Sequence, residues 1–123
     1  LKEFLSIKNS GSELYYHGFM TGVLGLACAA KGIDFYEEIE SGDGFSDLIL
    51  DNFDAETVCI LELKKATELA DCYDAAMDAT KQIIRKDYAS KFISQRYKNV
   101  YGIGIGFAKK SCKVVSLGNL TEN

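Results

Sequence analysis

Three residues stand out for their chemistry: Asp47, Glu62 and Lys64. Glu62 and Lys64 close residues 57–64, which read Val-Cys-Ile-Leu-Glu-Leu-Lys after Thr57. Side chains two apart on a strand share a face, so both follow Val58 and Ile60 onto one side. An unpaired carboxylate or ammonium is costly to bury. Either the two pair with each other or they open into a site. Asp47 interrupts residues 45–50, otherwise an apolar strand. The turn at residues 51–54 makes the two strands an antiparallel hairpin, which sets Asp47 beside Glu62. Two carboxylates held close repel unless a proton or a cation intervenes. A hard divalent cation such as Mg²⁺ or Mn²⁺ answers that repulsion and accepts a phosphate as well. Lys64 is then placed to orient or deprotonate an attacking water, or to neutralise charge growing on the phosphate.

The elements that hold these residues follow from periodicity. Residues 1–8 form a short amphipathic stretch before the turn cluster Asn9-Ser10-Gly11-Ser12. A helix is expected over residues 13–30, apolar nearly all round through Leu14, Phe19, Val23, Leu24, Leu26 and Ala27, hence buried. Gly18, Gly22 and Gly25 suggest close approach of another element, and Gly32 is the left-handed residue that ends the helix. Strands are expected at residues 33–40, 45–50 and 57–64, with Ser41-Gly42-Asp43-Gly44 as a tight turn. The third strand, apolar on both sides, is central. A helix over residues 68–88 carries a stripe of Leu69, Tyr73, Ala76, Thr80 and Ile83. Strands at residues 101–107 and 112–117 complete the order α-β-β-β-α-β-β. Gly102, Gly104 and Gly106 alternate within one strand, so they clear a face for a helix and do not form a phosphate loop.

The 123 residues suffice for one domain, with 47% hydrophobic and 26% charged residues. No window reaches the roughly 20 apolar residues of a membrane span. Cys28, Cys59, Cys72 and Cys112 have neither zinc-site nor disulfide spacing and are expected to act as small buried hydrophobes, which fits a cytoplasmic protein. The net charge of −4 hides an asymmetry. Residues 1–80 hold five Lys/Arg against sixteen Asp/Glu, and residues 81–123 hold nine against two. An acidic site beside a basic surface suits a metal-dependent enzyme acting on a polyanion. The chain opens at Leu1 and reads as part of a longer protein, with residues 1–12 a linker or partial helix, 13–118 the domain and 119–123 a tail.

Taken in order, an acid at Ser46-Asp47 and then Glu62-Leu63-Lys64 resembles the PD-(D/E)XK nuclease superfamily. The likeness is closer to a branch found C-terminal to an AAA-ATPase-like region in bacterial proteins. Its marks are Glu13-Leu14-Tyr15-Tyr16-His17-Gly18, Glu40-Ser41-Gly42-Asp43-Gly44, Lys81-Gln82-Ile83 with Lys86 and Tyr88, and the glycine-rich strand at residues 101–107. The resemblance implies an α/β, restriction-endonuclease-like three-layer core with a mixed central sheet flanked by helices. It further implies Asp47 and Glu62 as ligands of Mg or Mn, Lys64 as catalytic lysine, Glu13 as an extra acid on the first helix, and Gln82 as a polar residue facing the site. Lys81, Arg85 and Lys86 are expected on the nucleic-acid backbone, which supplies affinity without sequence readout. The expected function is metal-dependent hydrolysis of phosphodiesters, in DNA rather than RNA. The expected partners are an upstream ATPase-like region in the same chain and a second copy as a homodimer, with no membrane. The rival is a catalytically idle module of the same fold that serves dimerisation or nucleic-acid binding.

Overall fold

The computed structural model describes residues 13–38, 47–109 and 111–121. The expected turn at Ser41-Gly42-Asp43-Gly44, the stretch 1–12, and the side chains of Glu13 and His17 lie outside the described residues. The elements are α1 (Glu13–Lys31), β1 (Asp34–Glu38), β2 (Asp47–Asn52), β3 (Thr57–Lys65), a 3₁₀ turn (Leu69–Asp71), α2 (Cys72–Lys86), α3 (Tyr88–Ser94), β4 (Asn99–Ala108) and β5 (Ser111–Asn119). The strands form one sheet in the order β1-β2-β3-β4-β5. Every neighbouring pair is antiparallel except β3 and β4, which run parallel. A parallel pair needs a long crossover, and α2 and α3 supply it.

β3 lies at the centre, as its apolar run requires. Its odd and even positions feed two separate cores. Leu61 and Leu63 join Leu48, Ile105, Phe107 and Tyr16 of α1 on one face. Val58 and Ile60 join Ile49, Val100, Ile83 of α2 and Phe92 of α3 on the other. The result is the expected three-layer arrangement: α1, a mixed sheet, then α2 with α3. No helix among the described residues is long and apolar enough to cross a membrane.

The alternating glycines of β4 explain how closely α2 sits. A Cβ on Gly104 would strike the carbonyl oxygen of Ala76, and one on Gly106 would strike that of Cys72. Both obstacles are helix backbone. The strand must therefore present bare Cα atoms there.

Several expectations are corrected. α1 is not buried all round: Val23 is 45% and Leu26 78% exposed. Among the described side chains of α1, the stripe Tyr16, Met20 and Leu24 packs with the sheet core, because a helix laid on a sheet turns only one side to it. Gly18 and Gly22 face open space, and Gly25 merely touches the Phe35 ring at 3.7 Å from a notional Cβ. Gly32 does end α1, with φ +72°. The single helix expected over residues 68–88 is a 3₁₀ turn and two helices, broken where Asp87 takes φ 59°. Ala76, Thr80 and Ile83 of the expected stripe are buried, whereas Leu69 and Tyr73 are exposed. Leu69 falls in the 3₁₀ turn, and Tyr73 falls in the first turn of α2. The four cysteines are free. Cys28 and Cys72 are buried, burial pushes the half-buried Cys59 thiol up to about 11, and Cys112 is exposed rather than internal.

Candidate active site

β2 and β3 pair with Leu48 opposite Leu61 and Ile49 opposite Ile60. Continuing that register by one residue sets Asp47 opposite Glu62. Strand parity then puts both carboxylates on the face of Ile49 and Ile60, the side covered by α2. Both are deeply buried, Asp47 at 0% and Glu62 at 4% exposure. Aliphatic neighbours along both strands make the position hostile to charge.

The compensating charge comes from α2. The Lys86 ammonium stands 3.4 Å from Asp47 Oδ1 and 3.2 Å from Glu62 Oε1. It spans both carboxylates without closing to the ~2.7–2.9 Å of a strong charge-assisted bond to either. These three side chains together carry a formal charge of −1. The helix places this lysine: Thr80 and Ile83 face the sheet, and three residues on from Ile83 the same stripe arrives at Lys86. Asp87 then leaves the helix in the left-handed conformation, so Lys86 is the last residue of α2.

Lys64 lies two residues beyond Glu62 on the same strand face, opposite Gly106 of β4. It is half-buried. Among the described residues it makes no hydrogen bond or ion pair. Gln82 is half-buried one helical turn before Lys86. α1, which Glu13 opens, packs through Tyr16 on the opposite face of the sheet, the one carrying Leu61 and Leu63. Lys81 and Arg85 are exposed on the outer side of α2. Lys86, expected with them on a phosphate-tracking surface, is instead turned inward onto the two carboxylates. The signal for this was present: a charged residue at the next position of an apolar stripe.

The donor set fits a hard divalent cation. Two buried carboxylates converge on one positive charge, the Lys86 ammonium. Among the described residues no group of three or more His, Cys, Asp or Glu gathers. Mg²⁺ tolerates so few protein ligands because it keeps waters and takes substrate phosphate oxygens. A structural zinc site, which takes four nitrogen or sulfur ligands, does not fit the described residues.

A family model described as the PD-(D/E)XK nuclease superfamily matches residues 11–117. No curated protein and no solved structure gives a significant match. Nucleases of this superfamily generally use divalent metals and act on nucleic acid. The matched span contains both acidic strands, the Glu-x-Lys segment, the crossover helices and the glycine-rich strand, and the chain belongs to the PD-(D/E)XK nuclease superfamily.

Proposed function

We propose that this domain hydrolyses phosphodiester bonds in DNA with Mg²⁺ or Mn²⁺, using Asp47 and Glu62 as metal ligands and Lys64 as the catalytic lysine. The observation that carries the reading is the convergence of two buried carboxylates on one cation. Family membership supplies the reaction class. When bound, the metal supplies Lewis-acid polarisation of a phosphoryl oxygen and a more acidic water. Asp47 and Glu62 fix its position from two adjacent strands. The Lys64 ammonium, with no competing ion pair among the described residues, is placed to offset negative charge as it develops on the phosphoryl oxygens or to orient the attacking water. Gln82 borders the site from α2, and Glu13 is proposed as an additional acid. Lys81 and Arg85 offer exposed positive charge to the phosphate backbone, and affinity through them falls as salt rises. An upstream ATPase-like region in the same chain, a bacterial source and a cytoplasmic setting belong to the same proposal.

The test is metal-dependent cleavage of DNA by the longest available form of the protein. Asp47→Ala, Glu62→Ala and Lys64→Ala are each expected to abolish cleavage, and only the first two to weaken Mn²⁺ binding in calorimetry. Absence of Mn²⁺ binding at millimolar concentration, together with full activity of Glu62→Ala, sinks the proposal. That result would favour a second reading, an idle module for association. The observation on its side is the set of exposed apolar residues, Val23 and Leu26 of α1 and Val114 of β5 at 59% exposure.

A further inference from the structure

The oxygens that the proposed function assigns to a divalent metal are already in use. Asp47 Oδ1 and Glu62 Oε1 both face the Lys86 ammonium, at 3.4 and 3.2 Å. A dication drawn to these carboxylates would stand close to the ammonium, and two positive charges a few ångströms apart repel strongly where water is excluded. We infer that Lys86 is a tethered placeholder for the metal: it holds Asp47 and Glu62 together in the metal-free domain and is displaced when a divalent cation binds between them. The inference rests on the metal site proposed above, and it makes Lys86 a positioning residue.

Three features support displacement over permanent pairing. The contacts are long for charge-assisted bonds, so the ammonium bridges the carboxylates without locking onto either. Lys86 is the last residue of α2, so its stem can swing outward at the helix end without unwinding an interior turn. The side chain retains 9% exposure and therefore touches solvent, and a four-carbon stem with a point charge moves more freely than the planar fork of an arginine. Lys64, on the same face as Glu62, forms no ion pair with either acid. The two lysines thus divide the work. Lys86 occupies the ligand oxygens, and Lys64 stays available to the reacting phosphate.

Lys86→Met keeps the stem and removes the charge, and Mn²⁺ alone serves as the probe. Without metal, the variant is expected to melt about 5 °C or more below the parent, because its carboxylates lose their shared counter-ion. Its Mn²⁺ affinity in titration calorimetry is expected to rise about tenfold, because no placeholder must first be removed. Mn²⁺ should accordingly raise the melting temperature of the variant more than that of the parent. A lysine with only a structural role would lose stability and metal affinity together. If the parent binds Mn²⁺ and the variant binds it equally or more weakly, the placeholder is overturned and the metal site stands. If neither protein binds Mn²⁺, the metal site itself fails and takes the inference with it. Should the variant not fold, the parent chain decides. Amine-reactive labelling of Lys86, read by peptide mass spectrometry, should rise about tenfold at a Mg²⁺ concentration that shifts the melting temperature, while Lys81 labels at an unchanged rate. Unchanged labelling of Lys86 at that concentration overturns the inference.

Discussion

At the scale of single residues, the proposed site separates charges that bind metal from charges that act on substrate, and mutation can tell them apart. Asp47→Asn and Glu62→Gln preserve shape and remove ligand charge. Each is expected to weaken Mn²⁺ binding by about 10–100-fold, read by calorimetry. Lys64→Met is expected to leave that affinity unchanged and to lower the cleavage rate by about 10²–10³-fold, the usual cost of losing one transition-state donor. A second residue-level expectation lies away from the site. The Tyr97 hydroxyl donates to Asp51 Oδ1 at 2.6 Å. Burial, then that hydrogen bond and the Asp51 charge, push the phenol well above its ordinary value. The folded state therefore favours neutral Tyr97. The stabilisation is complete below the unfolded tyrosine pKa of about 10 and is lost as pH rises from there towards the folded value. Tyr97→Phe should flatten the alkaline fall in stability measured by urea unfolding above about pH 10, at a cost of about 1–3 kcal/mol at neutral pH.

At the scale of elements, glycines of one kind of sequence context turn out to do opposite things. Gly104 and Gly106 lie against α2 backbone, which cannot yield without lifting the helix that carries Lys86. Gly104→Ala is expected to cost about 1–3 kcal/mol or more in chemical denaturation. Gly22 sits inside α1 with nothing near a notional Cβ. Gly22→Ala is expected to stabilise the domain by about 0.5–1 kcal/mol, since a helical glycine with no packing role only loses backbone entropy. The β4 glycines were legible in the sequence because they alternate on a strand flanked by large apolar residues, a pattern only a close neighbour explains. The α1 glycines were not, because a helix rich in small and apolar residues reads alike whether its outer side is covered or bare.

At the scale of the molecule, the two cores differ in how completely they are closed. The face under α2 and α3 buries Ile60, Ile83 and Val100 fully, and Ile60→Ala is expected to cost about 2–5 kcal/mol. On the face under α1, Val23, Leu26 and Val114 remain exposed. Leu26→Lys is therefore expected to change stability by no more than about 0.5 kcal/mol. If this side mediates self-association, the same substitution shifts the mass measured by light scattering at high concentration towards the monomer.

Strand parity and turn placement were enough to set Asp47, Glu62 and Lys64 on one face of a hairpin, because side-chain direction in a strand is a local property of period two. The double-sided run at residues 57–64 was enough to make that strand central, because only a covered strand can carry apolar side chains on both faces. Gly32 marked the end of α1 through its freedom at positive φ. The stripe of α2 pointed Lys86 towards the sheet, but its meeting with Asp47 and Glu62 was decided by tertiary structure. It required α2 to settle on the bare glycine face of β4 and the helix to stop at Asp87, a residue with no glycine-like signature yet with φ 59°. Those are consequences of packing between segments far apart in the chain. Local periodicity names the face of each element, whereas the distance between faces determines which charges meet.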